Sequence, residues 1–268
     1  MVTAPDASRV FQEDLLKEQV AFVTGGGTGI GKEIARTLGR HGARLAIASR
    51  KRESLELAAR ELESEGLECF VDTCDVREPE EVERVVAGIL AHYGRLDVLV
   101  NNAAGNFPAS VRNISYNGFK SIVGIDLIGT YNVTKAVFEA RLKDHGGKVV
   151  NISAPFSGMG VALQAHVAAA KMGVDALTRS CAVEWAPLGI RVNGVAPGQV
   201  ADTEGVARFE AATGGAATGG PIVGTKQDIA NAVLFLVSDA ARFVSGQVFS
   251  VDGAASIDML KIPVEPPG

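Results

Sequence analysis

The sequence predicts an α/β protein: a doubly wound parallel sheet covered by helices on both faces. From about residue 20 to residue 252, short apolar runs alternate with longer segments whose apolar residues recur at the helical period of 3.6. The short runs are continuously apolar, as strands buried on both faces must be. A glycine-rich stretch joins the first of them to the first helical segment.

Taken in order, the strand candidates are VAFVT (20–24), ARLAIAS (43–49), CFVDT (69–73), LDVLVN (96–101), KVVNIS (148–153), RVNGVA (191–196) and QVFSVD (247–252). Between them, segments such as KEIARTLGRHG and PEEVERVVAGILAHYG place apolar residues on one helical face. No linker-like stretch divides the chain, so one domain is expected over 1–268, with a core at about 18–253. Residues 203–225 break the rhythm: they are rich in Gly, Ala and Thr and have little apolar periodicity. Two expectations fit them, a surface insertion or a lid over a substrate site.

Composition narrows the class of function. Of 268 residues, 47% are hydrophobic and 21% charged, and the formal net charge is −5. That balance offers no global basic field for nucleic acid or an anionic membrane. No run approaches the roughly 20 apolar residues that span a bilayer. The N-terminal MVTAPDASRVFQEDLLKEQ lacks a signal-peptide core, and the final IPVEPPG carries no peroxisomal address, so a cytoplasmic location is expected. Cys69, Cys74 and Cys181 have no metal-ligand spacing and their odd number argues against a disulfide framework. No metal is expected.

The stretch VAFVTGGGTGIGKEIARTL sets Thr24, Gly25, Gly29, Ile30 and Gly31 between the first strand and a helix. Glycine there allows unusual backbone angles and close approach to a pyrophosphate, which the helix N-terminus favours. A dinucleotide site is predicted. The second strand ends at Ser49, followed by Arg50, Lys51 and Arg52. An acidic residue at that end would select NAD. A small hydroxyl and a cationic cluster suit a 2′-phosphate, so Ser49, Arg50 and Lys51 point to NADP, with Arg50 as the main partner.

These residues resemble the short-chain dehydrogenase/reductase family over nearly the whole chain. The resemblance rests on TGGGTGIG (24–31), CDV with Asp75, NNAAG (101–105), Lys171, and APG with Pro197 and Gly198. It implies a single-domain Rossmann fold of seven strands, assembled as a homotetramer. It also implies that Asp75 and Val76 hold the adenine and that Asn102 and Ala103 line the cofactor. Pro197, Gly198 and Thr203 would flank the nicotinamide end.

The departures from that family carry as much information. Typical members use a serine, a tyrosine four residues before the lysine, and an asparagine in the middle helix. Here those positions hold Ala154, Val167 and Asp126. Valine and alanine can donate no proton, so ordinary alcohol/ketone chemistry is not expected. Tyr116 and Ser153 are poor substitutes: Tyr116 lies far along the chain, and Ser153 is one strand residue off, facing the other way.

A narrower branch accounts for the departures together. IASRK, NNAAGNF, ISYNGFK, the aspartate in GIDLIGTYN, ALQAH–K, AVEWAP and PGQVADTEG resemble the peroxisomal-type 2,4-dienoyl-CoA reductases over roughly residues 14–253. That branch also lacks the tyrosine and serine and keeps an aspartate–lysine pair. The resemblance implies an acyl-CoA thioester substrate, with Asp126 and Lys171 holding a water that delivers the proton. It carries substrate contacts onto Arg77, Phe107, Ser115 and Arg208, and Asn106 is a candidate donor to the thioester oxygen. His166 is expected to pack or to edge the cofactor. Two other functions stay open on the residues alone: a carbonyl or hydroxyl oxidoreductase for a 3-oxoacyl or steroid-like substrate, and a scaffold that binds NADP without turnover.

Overall fold

A computed structural model of the chain describes residues 11–156, 160–214 and 223–257. Seven strands form one sheet: β1 (Val20–Thr24), β2 (Arg44–Ser49), β3 (Cys69–Thr73), β4 (Val98–Asn101), β5 (Gly147–Ile152), β6 (Ile190–Pro197) and β7 (Val248–Val251). Their order is β3-β2-β1-β4-β5-β6-β7 and each neighbouring pair is parallel. The expected strands and their parallel arrangement are found, with ends shifted by one or two residues.

Parallel strands need crossovers, and these supply both covering layers. Residues of β1 divide by their period of two. Ala21 and Val23 pack with α1 (Gly29–Arg40), α2 (Arg52–Ser64) and α9 (Lys226–Val237), through residues such as Leu38, Leu62 and Leu234. Val20 and Phe22 face the other way, toward α3 (Pro79–Tyr93), α5 (Gly129–Val137) and α7 (Ala165–Trp185). The remaining helices are α4 (Tyr116–Val123), the short α6 (Lys143–His145) and α8 (Glu204–Thr213).

From β1 the chain winds outward to β3, then returns to place β4 beside β1. The loops after β1 and β4 therefore part in opposite directions and open a crevice at the carboxyl ends of the strands, the usual ligand position in such sheets.

Two local features shape the site. The middle helix runs from α4 to α5 through a π-helical turn at Gly124–Ile128, an insertion that turns side chains out of the ordinary register. The stretch expected to be irregular from residue 203 instead starts a helix, α8, whose N-cap Thr203 accepts a hydrogen bond from Val206 N at 3.4 Å. Residues 215–222 of the expected lid lie outside the described residues. Among the described residues no helix is long and apolar enough to cross a membrane, and no group of three or more His, Cys, Asp or Glu could hold a metal ion.

Candidate active site

Two adjoining cavities occupy the crevice, one of about 530 Å³ and one of about 280 Å³, with Ile30, Pro197, Thr203 and Gly205 lining both. The larger one follows the glycine turn. Gly25 and Gly29 hold φ of 67° and 57°, left-handed backbone that a side chain would strain. The turn is clamped from β4. Asn102 Nδ2 donates to Thr24 O at 3.0 Å and to Gly25 O at 3.3 Å, while the Thr24 hydroxyl accepts from the N–H groups of Asn102 and Ala103. Thr24 thus acts as a strut beneath the turn, whereas Gly25, Gly29, Ile30, Gly31, Asn102 and Ala103 line the cavity.

At the far end Ser49, Arg50, Lys51, Asp75 and Val76 line the same cavity, as a nucleotide site requires. The expectation that Arg77 reaches the substrate meets a competing contact. Its Nε donates to Asp75 Oδ1 at 2.9 Å, its other end pairs with Oδ2, and it lines neither cavity. Hydrogen bonding from Arg77 holds the Asp75 carboxyl below the usual carboxylate range, and the charge of Arg50 adds to this.

The π-helical turn places Asp126 behind the wall of the larger cavity, beside Gly105 and Lys171, which line it. The carboxylate is fully buried. Oδ1 accepts from Gly105 N at 2.7 Å, and Oδ2 has no hydrogen-bond partner among the described residues. Lys171, one helical turn after Val167 on α7, places Nζ 3.7 Å from that Oδ2 and donates to Ile152 O at 2.8 Å. At 3.7 Å the pair is a charged contact rather than a direct hydrogen bond. Burial pushes the Asp126 pKa up and the Lys171 charge opposes it. Lys171 lines the larger cavity. The expected carboxylate–ammonium pair is therefore present.

Neither tempting substitute joins it. The Ser153 hydroxyl donates to the buried Asp175 at 2.5 Å. Tyr116 is 97% exposed at the start of α4. Val167 is buried, and Ala154 lines the smaller cavity without a polar atom to offer.

The remaining candidates are placed unevenly. Asn106 lines the smaller cavity, and its carbonyl accepts from Arg208 Nη1 at 2.9 Å, tying α8 across the cleft to the loop after β4. Arg208 itself lines the larger cavity. Phe107 packs against His166, ring centroids 4.4 Å apart, and lines neither cavity. His166 is fully buried, which lowers its pKa, and it too lines neither cavity. Ser115 caps α4, accepting from Gly118 N at 3.0 Å. Sequence reasoning assigned no role to Gln164, which lines the smaller cavity and is 3% exposed.

Comparison with known proteins fits this geometry. A family model described as enoyl-(acyl carrier protein) reductase matches residues 25–255. A Danio rerio protein named peroxisomal 2,4-dienoyl-CoA reductase [(3E)-enoyl-CoA-producing] is 46% identical over 254 residues, covering 92% of this chain and 85% of its own. The chain belongs to the short-chain dehydrogenase/reductase family. Among solved structures, a citronellol catabolism dehydrogenase of Pseudomonas aeruginosa PAO1 is 39% identical with a TM-score of 0.82, covering 92% of this chain and 98% of that one. An actinorhodin polyketide ketoreductase variant solved with NADPH is 33% identical with a TM-score of 0.81, covering 89% and 97%. As a member of this family the protein is an oxidoreductase, and its larger cavity is built for a nicotinamide cofactor.

Proposed function

We propose that the protein reduces a conjugated acyl-CoA, a 2,4-dienoyl-CoA, with NADPH. One observation carries the reading: a buried Asp126–Lys171 pair stands at the cofactor cavity where neither Val167 nor Ala154 can donate a proton. A bound NADPH supplies the hydride, which goes to C5 of the dienoyl thioester. Negative charge then spreads through the conjugated chain to the thioester oxygen, so no alkoxide forms beside α7 and no tyrosine is needed there. Asp126 and Lys171 hold and polarise a water whose proton goes to C2; the hydroxide left behind takes a proton from the Lys171 ammonium, which solvent restores, and a 3-enoyl thioester leaves. Lys171 also hydrogen-bonds the ribose next to the nicotinamide.

The cationic pair Arg50 and Lys51 supports NADP over NAD. Arg208, which lines the larger cavity, is the candidate partner for coenzyme A phosphates, whereas Arg77, held by Asp75, and Phe107 and Ser115, which line neither cavity, are left out of the substrate set. In this reading α8 forms one side of the substrate entrance, and the protein works as a homotetramer.

The test mixes purified protein, NADPH and 2,4-hexadienoyl-CoA, follows loss of NADPH absorbance and identifies the product. Turnover to a 3-enoyl-CoA is the expected result. Turnover of ketones alone would replace this reading with carbonyl chemistry, and NADPH binding with no turnover of either would replace it with a scaffold. In the same assay Arg50→Ala should raise KM for NADPH about 10- to 100-fold while leaving that for NADH nearly unchanged, the loss expected for one charge-assisted hydrogen bond. Equal effects on the two cofactors would remove Arg50 from the phosphate site.

A further inference from the structure

The smaller cavity is walled mainly by apolar groups, among them Ala154, Val161, Val206 and Phe209, yet a primary amide is buried in that wall. Gln164 is 3% exposed, and neither Oε1 nor Nε2 has a hydrogen-bond partner among the described residues. Its backbone is fully engaged: the N–H donates to Val161 O at 3.3 Å and the carbonyl accepts from Ala168 N at 2.8 Å, closing the first turn of α7. Buried amides are almost always paired, so one left over beside a cavity marks a place for a ligand.

The backbone before it is bent to put it there. Leu163 has φ of 67°, left-handed for a bulky residue, a conformation that survives only where the surroundings over-determine it. Its carbonyl accepts from Ala109 N at 3.0 Å, and two residues after Gln164 the His166 ring packs on Phe107. The loop after β4 and the start of α7 therefore hold each other, with Gln164 fixed between these two contacts.

The proposed reduction needs a donor, and the ammonium and hydroxyl groups nearby are spoken for. Charge develops on the thioester oxygen as hydride arrives, and only a hydrogen bond aimed at that oxygen stabilises it. The Lys171 ammonium is directed to Ile152 O and Asp126. The Thr203 hydroxyl donates to Val200 O at 2.9 Å, and that of Ser153 to Asp175. The buried, unpartnered atom of Asn106 is its Oδ1. The Gln164 amide has two N–H donors uncommitted in the cavity that also holds Ala154, Pro197 and Gly198.

We propose that Gln164 is the oxyanion donor of this site, its Nε2–H binding the thioester carbonyl of the acyl-CoA and strengthening that bond as the enolate forms. This rests on the dienoyl-CoA reading and adds a residue to it. The apolar walls around the amide take the acyl chain, so Gln164 also selects for chains bearing a carbonyl at the head of an extended conjugated segment.

Gln164→Met keeps length and removes the donors; Gln164→Glu keeps shape and sets a negative charge where the oxyanion forms. Both should lower kcat for 2,4-hexadienoyl-CoA by about 100-fold, the effect of deleting one oxyanion donor, with NADPH affinity and Tm close to wild type. The second readout is optical. Mixed with the full-length wild-type protein and NADP+, the dienoyl-CoA chromophore should shift to longer wavelength as its carbonyl is polarised, and in either variant the bound chromophore should absorb where it does in water. Retention of the shift with kcat within two-fold of wild type would overturn the assignment of Gln164 while leaving the dienoyl-CoA reading in place. A wild-type protein that neither binds nor reduces the dienoyl-CoA would overturn both. Loss confined to Tm or NADPH affinity in both variants would make Gln164 a structural residue.

Discussion

Asp126→Asn is expected to lower turnover of a 2,4-dienoyl-CoA at least about 100-fold, the range for loss of a positioned proton-transfer group, while NADPH affinity stays within about two-fold. Asparagine is nearly isosteric, and its oxygen can still accept from Gly105 N, which holds Oδ1 at 2.7 Å. What disappears is the charge facing Lys171 at 3.7 Å, and with it one of the two groups proposed to polarise the water. Lys171 keeps its bond to Ile152 O, so its place beside the cofactor is preserved. That separation of rate from cofactor affinity sets a proton-relay role apart from a structural one: a merely structural pair would lose NADPH affinity and Tm with the charge. The pH profile provides a second check. Burial raises the Asp126 pKa, and the group works as a carboxylate, so wild-type kcat should fall as pH drops through a value above the usual carboxylate range. In Asp126→Asn that acid limb should vanish from what activity remains. Wild-type turnover in the variant, or an unchanged limb, would sink the relay.

Much of this architecture can be read from sequence because parallel strands are buried on both faces. Runs such as RLAIAS in β2 are apolar at nearly every position, which leaves little ambiguity about strand or orientation. The glycine turn is equally legible, since its residue types answer to backbone angles set locally. The features that resisted are those created by tertiary contact. GIDLIG carries no local mark of a π-helical turn, although that turn is what buries Asp126 against Gly105. The left-handed φ of Leu163 is likewise invisible in its residue type, and it is held by Ala109 from a loop more than fifty positions earlier. α8 was hidden because its apolar periodicity is weak: Val206 and Phe209 face a cavity rather than a core, so the helix needs few apolar residues. Arg77, a reasonable phosphate partner by residue type, is drawn to Asp75 two positions away, a choice only side-chain geometry decides.

Gly31→Ala should abolish cofactor binding, raising the NADPH Kd by about 100-fold or more, and it should also destabilise the fold by about 1–3 kcal/mol, the usual cost of forcing a group into a packed site. Gly31 sits in the first turn of α1 with ordinary helical backbone, so its requirement is space. A Cβ there would lie far inside van der Waals contact with Gly25 O and with Asn102 Nδ2. Gly25 O is the atom that Asn102 clamps at 3.3 Å, so the methyl group attacks the strut holding the glycine turn to β4. The turn cannot yield without moving the backbone N–H groups that face the pyrophosphate. Gly29→Ala provides the contrast. Its φ of 57° makes a side chain cost about 1–2 kcal/mol in strain, but among the described residues no atom beyond its own stretch of chain lies within 4 Å of the added Cβ. If that empty space belongs to the cofactor, Gly29→Ala loses NADPH affinity out of proportion to its modest loss of stability, whereas Gly31→Ala loses both together. Fluorescence titration with NADPH and urea unfolding, run on both variants, separate the two effects. Wild-type NADPH affinity in Gly31→Ala would mean that the turn does not cradle the pyrophosphate.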